Sequence, residues 1–262
     1  MQVGLKVWRF NAKTGERELQ EFEIDAPEEA TLLDCLDIVK DRHDGTLAYR
    51  KSCRMMICGS CGMRMDGAAV LACKTRMYDI AQAGHVPVIS AMGNLPIVKD
   101  LVVDMAPFWR KFQSVDPYLQ PGYEEPLDGR EYLIEPERMN VIHKEALCIN
   151  CGCCVSECNA MESDPEFTGP QALAKAMRFV GDPRDGRKVE RLEALNGSTA
   201  SGNAPAATSA TSAARRASTR ATRSRSSAPS RSGSASTATW ARSTRSGSSA
   251  RRRRPAGSAR RS

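Results

Sequence analysis

Eight of the ten cysteines fall into two tight runs, and that arrangement constrains the fold more than any other feature of the sequence. Cys53, Cys58, Cys61 and Cys73 form C-x4-C-x2-C-x11-C, and Cys148, Cys151, Cys154 and Cys158 form C-x2-C-x2-C-x3-C. Cys153 lies inside the second run and Cys35 stands alone. No apolar leader follows Met1, and no apolar run approaches the ~18 residues a spanning helix needs. The sequence therefore argues against secretion and membrane spanning. Metal thiolates are then favoured over a disulfide framework.

The first run has the plant-type spacing for a [2Fe–2S] cluster. Four thiolates must surround a compact core, so a short loop has to wrap it with backbone amides turned inward. Gly59 and Gly62 suit that loop because glycine permits close backbone approach and positive φ. Zinc is the competing reading, since paired CxxC elements also hold Zn²⁺. Three ligands crowded on one loop favour iron–sulfur. The second run has the bacterial ferredoxin spacing, in which the first three cysteines serve one cubane and the fourth serves another. Cys148, Cys151 and Cys154 would then hold three irons of one cubane, and Cys158 would point to a neighbour. No cysteine follows Cys158, so both sites are short of ligands. Cys153 reads as a small filler beside its loop and Cys35 as part of a helix core.

Around these runs the pattern predicts a small α+β unit followed by helices. Val3 to Phe10 and Glu18 to Ile24 alternate about a turn at Asn11 to Gly15, which predicts a hairpin. Thr31 is the expected N-cap of a helix through Arg42, with Leu32, Cys35, Leu36 and Val39 at helical spacing. Strands are expected at Gly62 to Met65, Ala69 to Ala72 and Val86 to Ser90. Helical periodicity follows at Ala106 to Val115, Met139 to Ala146, Gln171 to Val180 and Val189 to Leu195, with a Pro/Gly linker at Asp116 to Gly129.

Charge divides the chain again. The whole carries +7, yet residues 197–262 hold 14 Arg, no Lys and no acid. The first 196 residues hold 24 basic groups against all 31 acidic ones, a net −7. The tail has no Val, Ile, Leu, Phe or Met and cannot offset its chain entropy by burial, so disorder is expected there. As protein, it reads as a solvated low-complexity segment or a polycation for nucleic acid.

Tyr49 to Gly67 (YRKSCRMMICGSCGMRMDG) with Leu71 to Cys73 resembles the [2Fe–2S] segment of the iron–sulfur subunits of succinate dehydrogenase and fumarate reductase. Leu95 to Met105, Cys148 to Cys158, Gly169 to Phe179, Asp182 to Asp185 and Glu190 to Leu192 continue the resemblance in order over about residues 1–195. It implies a ferredoxin-like (β-grasp) domain over 1–105 and an all-α ferredoxin-type domain over 106–196. It implies an electron wire with no catalytic residue or pocket of its own. Its cofactors would be [2Fe–2S] on Cys53, Cys58, Cys61 and Cys73, [4Fe–4S] on Cys148, Cys151 and Cys154, and [3Fe–4S] or a second [4Fe–4S] at Cys158. Its partners would be an FAD-containing flavoprotein, membrane-anchor subunits and quinone, holding it peripherally at the cytoplasmic face of the plasma membrane, with no nucleic acid. An electron carrier of a thiol-linked fumarate reductase or heterodisulfide reductase, or a zinc protein with a nucleic-acid-binding tail, are the alternatives.

Asn159 stands where the family commonly has Pro, and Ala160 to Ser163 lacks the family's tryptophan. The family's third cysteine segment belongs soon after Leu195, where this chain has its tail. A shifted reading frame accounts for that. Taking the third base of one codon with the first two of the next, synonymous choices over Ala204 to Ser227 permit CTRCYFCNERCPKGVDPRDAIAKL. Cysteines then fall over Ala204, Ala207, Ala210 and Ala214, with Pro over Arg215. The cysteines over Ala204, Ala210 and Ala214 supply the missing C-x5-C-x3-C-P. The one over Ala207 is extra and favours a second [4Fe–4S]. The tail is therefore read as a frameshifted translation beginning near Gly197.

Overall fold

The computed structural model describes residues 1–122 and 131–196. Part of the expected linker and the whole tail lie outside the described residues.

Strands β1 (Gln2–Phe10) and β2 (Arg17–Asp25) pair antiparallel over all nine positions, Gln2 opposite Asp25. Val3, Leu5 and Val7 face inward with Phe22 and Ile24, as the alternation requires. Helix α1 (Leu32–Arg42) starts at Thr31, whose hydroxyl accepts from the Asp34 amide while the Asp34 carboxylate accepts from the Thr31 amide. Its buried face is Leu32, Leu33, Cys35, Leu36 and Val39. Each such aliphatic side chain contributes roughly 1.5–3 kcal/mol on burial. Cys35 is fully buried there, and burial, reinforced by Asp34, pushes its thiol up to about 12.

Strands β3 (Gly62–Met65) and β4 (Ala68–Leu71) form a two-residue hairpin across Asp66 and Gly67, both at positive φ as such a turn demands. After α2 (Tyr78–Gln82), β5 (Val88–Ser90) enters parallel to β1 and antiparallel to β3. The mixed sheet has the order β2-β1-β5-β3-β4. The strand expected from Val86 begins only at Val88. Pro87 has no N–H to donate, although its carbonyl accepts from Lys6. A short hairpin, β6 (Ile97–Lys99) and β7 (Val102–Val103), follows. At its turn the Asp100 carboxylate, 3% exposed, accepts from Arg9 Nε and from the amides of Phe10 and Ala48.

The rest of the described chain is helical: α3 (Ala106–Gln113), α4 (Pro136–Ala146), α5 (Cys153–Ser156), α6 (Asn159–Ser163), α7 (Pro170–Val180) and α8 (Lys188–Leu195). Prolines at the first turns of α3, α4 and α7 suit positions whose N–H groups have no helical partner. Two hydrophobic cores result. One lies between the sheet and α1. The second gathers Phe108, Val155, Met161 and Phe167, and draws Ala91, Met92, Leu95 and Val103 from the segment before residue 105.

Candidate iron–sulfur site

The hairpin β3–β4 solves the first problem of the site, which is to bring distant cysteines together. Gly62 pairs with Leu71, and the Ala72 amide donates to the Cys61 carbonyl at 3.1 Å. Cys61 and Cys73 therefore meet at the open end of the hairpin, 3% and 8% exposed. Burial, opposed by a backbone hydrogen bond and reinforced by the Cys73 thiol, raises Cys61 to about 11.

The other half of the loop is built by backbone amides. Those of Met55, Ile57 and Cys58 donate to Cys53 Sγ at 3.4, 3.3 and 3.3 Å. Turning three N–H groups onto one sulfur requires Arg54 and Met56 at φ +56° and +61°, and Gly59 follows at +71°. A non-glycine residue in that region costs roughly 1–2 kcal/mol. Cys58 Sγ is hydrogen bonded to Ser60 Oγ at 3.1 Å, and that contact, with amides nearby, lowers its thiol to about 6. An amide nest of this kind stabilises a sulfur that carries negative charge, so the donor set fits an anionic thiolate cluster.

Arg54 does not hold its conformation unaided. The Asp37 carboxylate on α1, 13% exposed, accepts from Tyr49 Oη, from Lys51 Nζ at 2.7 Å and from Arg54 Nη2 at 2.6 Å. Burial opposes its ionisation, but Lys51, Tyr49 and Arg54 prevail and keep it below the usual carboxylate range. The expected ligand set did not include this anchor, because an Asp on the polar side of an amphipathic helix looks like any solvated acid.

The second cysteine run packs directly on the first. A β-carbon on Gly59 would meet Cys151 Cα at 2.7 Å, and one on Gly62 would meet the Cys151 carbonyl at 3.0 Å. Asn150 and Gly152 take positive φ, +55° and +80°, and bend Cys148 to Cys154 into a tight loop. Cys154 lies within electrostatic reach of Cys151 and Cys148, and it is raised to about 12 by burial and then by those two neighbours. A hydrogen bond from Cys153 lowers Cys151 to about 7 and drives Cys153 itself far upward. Cys153 also points at the Val70 carbonyl and lies within reach of Cys61, so the expected filler sits between the two cysteine runs.

Helix α7 reaches the second loop through one side chain. Lys175 Nζ donates to the Cys148 carbonyl at 3.4 Å. Gln171, one turn earlier, is 2% exposed, and its Nε2 donor has no partner among the described residues. Cys158, 3% exposed, is part of the second core, and its carbonyl accepts from Asn94 Nδ2 at 2.9 Å. Among the described residues no three such side chains converge on a single ion-sized point.

Known proteins supply the rest. Residues 4–110 match the model of the 2Fe-2S iron-sulfur cluster binding domain. The chain is 40% identical over 177 residues to the fumarate reductase iron-sulfur subunit of Mycobacterium tuberculosis, covering 67% of this chain and 70% of that one. It is 35% identical over 193 residues to the succinate dehydrogenase iron-sulfur subunit of Coxiella burnetii, covering 72% and 80%. A chain of the Mycobacterium smegmatis Sdh1 complex in the apo form shares the fold, with a TM-score of 0.64 and 22% identity over 87% of this chain and 98% of that one. Ordered motifs, an amide-lined cysteine loop and this length of similarity lead to one assignment: the chain belongs to the iron–sulfur subunits of fumarate reductase and succinate dehydrogenase.

Proposed function

We propose that this chain carries electrons between an FAD-containing succinate- or fumarate-converting subunit and membrane quinone, with no catalytic pocket of its own. It works as a subunit of an oxidoreductase, and its cofactors are iron–sulfur clusters. Cys53, Cys58, Cys61 and Cys73 would hold [2Fe–2S] in the 1–105 domain. Cys148, Cys151 and Cys154 would hold three corners of [4Fe–4S] in the all-α 106–196 domain, and Cys158 would serve the quinone-side cluster. The observation that carries this is the joining of Cys61 and Cys73 by one hairpin while three amides close on Cys53.

A bound cluster supplies one-electron chemistry. The chain's own residues set the conditions for it. Amides on Cys53 favour negative charge at that sulfur, and the buried Cys61 and Cys73 exclude water from one side. On the open side Met55 and Ile57 are 63% and 64% exposed, an apolar tip that suits the flavoprotein as the partner drying the loop. Contact with anchor subunits would hold the chain peripherally at the cytoplasmic face. No helix among the described residues is long and apolar enough to cross a membrane.

For the chain as written, the four cysteines of the first site suffice and the C-terminal sites are incomplete. Residues 197–262 are read as a shifted-frame product, and the gene's nucleotides decide that: early stops in the alternate frame, or no Cys and Pro codons over Ala204 to Arg215, end the idea. Iron and acid-labile sulfide assays of the purified chain, with EPR after reduction, test the cluster reading. About two irons and a reduced [2Fe–2S] signal are expected on the four-thiolate count. Colourless protein containing zinc refutes it.

A further inference from the structure

We propose that Asp37 is the positioning residue for the Cys53 arm of the cluster loop and, through the charge it balances there, for the cluster's potential. The inference rests on reading Cys53, Cys58, Cys61 and Cys73 as the ligands. Helix α1 touches both ends of that ligand set. Its first amides, from Leu32 and Leu33, donate to the carbonyls of Thr75 at 2.7 Å and Ala72 at 3.2 Å, on either side of Cys73. Asp37, further along the same helix, gathers Tyr49, Lys51 and Arg54, the residues that lead into and out of Cys53.

The local geometry requires such an anchor. Arg54 sits at φ +56° directly after Cys53, and its conformation is what lets the Met55, Ile57 and Cys58 amides point at Cys53 Sγ. Arginine does not choose that conformation unaided, and its side chain is held by Asp37 at 2.6 Å and Asp34 at 3.5 Å. The same carboxylate offsets the cations Lys51 and Arg54 beside the loop. Removing it has two effects of opposite sign on the potential: a looser amide nest favours the oxidised cluster, whereas uncompensated positive charge favours the reduced, more negative one and is expected to prevail.

The test uses the full chain carrying its [2Fe–2S] cluster, compared with Asp37→Asn, Asp37→Glu and the double variant Lys51→Gln/Arg54→Gln. Three readings are taken: the rate of bleaching by a chelator, the midpoint potential by EPR-monitored titration, and the g-value spread of the reduced signal. Asp37→Asn is expected to bleach at least fivefold faster and to change the g-value spread. It should also shift the midpoint positive by up to about tenfold in the oxidised-to-reduced ratio, 59 mV for a one-electron couple. Asp37→Glu should recover part of each change. The double variant removes two side chains that are 40% and 53% exposed, so it tests the idea even if Asp37→Asn does not fold. It should also bleach faster, but with a negative shift in midpoint. Wild-type bleaching and midpoint in Asp37→Asn, or in the double variant, overturn the proposal. A wild-type chain with no [2Fe–2S] signal overturns the ligand reading beneath it.

Discussion

Gly59 and Cys151 meet backbone to backbone: a methyl group on Gly59 would stand 2.7 Å from the Cα of Cys151. The loop expected to hold [2Fe–2S] thus has no spare room against the loop expected to hold [4Fe–4S]. Close approach shortens the path an electron must cross, and only glycine allows it. Gly59→Ala is expected to cost about 1–3 kcal/mol, from the forced separation and the positive φ together. Denaturant midpoints of the two proteins measure that loss, and a difference below about 0.5 kcal/mol contradicts the packing described.

Cysteine substitutions separate ligands from fillers. Cys73→Ala is expected to lower iron to the background of the assay, because the hairpin-borne fourth ligand has no substitute. Cys35→Ala leaves the iron content unchanged, since Cys35 is locked in the core of α1. It loses only about 1 kcal/mol as a small core deletion. Iron per folded chain is the measurement, and equal iron in both variants contradicts the assignment.

Arg191 is the polar keystone of the helical half. It is 7% exposed, pairs with Asp185 at 3.0 Å and donates to the carbonyls of Val115, Asp116 and Tyr118. Arg191→Met takes the counter-charge from the buried Asp185 carboxylate, leaving it only the Gln120 and Arg187 amides, and removes one donor from each of the three carbonyls. A loss of about 3–5 kcal/mol is expected, read from thermal or urea unfolding.

Acid should weaken the same region. Burial opposes ionisation of Asp182, but Arg184 and Arg178, at 2.7 and 2.6 Å, hold its carboxyl well below the usual carboxylate range. A depressed folded value means the stabilisation is fully present above the unfolded carboxylate value of about 3.9 and drains away as pH falls below it. Urea midpoints at pH 7, 5 and 3 should therefore fall more steeply for wild type than for Asp182→Asn. Parallel curves contradict the sign.

The apolar tip offers a test of partnership that spares the cluster. Ile57→Asp is expected to keep the iron content and EPR signal, because Ile57 is 64% exposed and only its amide serves Cys53. It should reduce recovery of a flavoprotein in affinity purification at least tenfold. Unchanged recovery argues against that face.

Much of the fold could be read from residue order alone. The Thr31 cap, the Cys35 core position and the β1–β2 alternation each follow from a local rule with a strong side-chain signal. The start of β5 could not, because Val86 has strand chemistry and only the missing N–H of Pro87 delays pairing. Helices α5 and α6, of four and five residues, are too short for any periodicity to show. At the site, cysteine spacing carried the ligand expectations, whereas Asp37 is an ordinary polar residue whose relevance comes from its tertiary neighbours Tyr49, Lys51 and Arg54. Cys153 reads as a filler in one dimension and lies between two cysteine runs in three.

The Asp66–Gly67 turn also imposes a timetable. Its hairpin is a local contact that forms on a scale of about 1–10 μs, and closing it brings Cys73 beside Cys61 once β5 is there to support β3. Cys151 is synthesised 78 residues after Cys73, which takes about 4–16 s at ordinary elongation rates. Throughout that interval the face of Gly59 is still uncovered. The nascent chain thus offers a brief window in which cluster delivery, or oxidation, can reach the loop from a side that the finished protein closes.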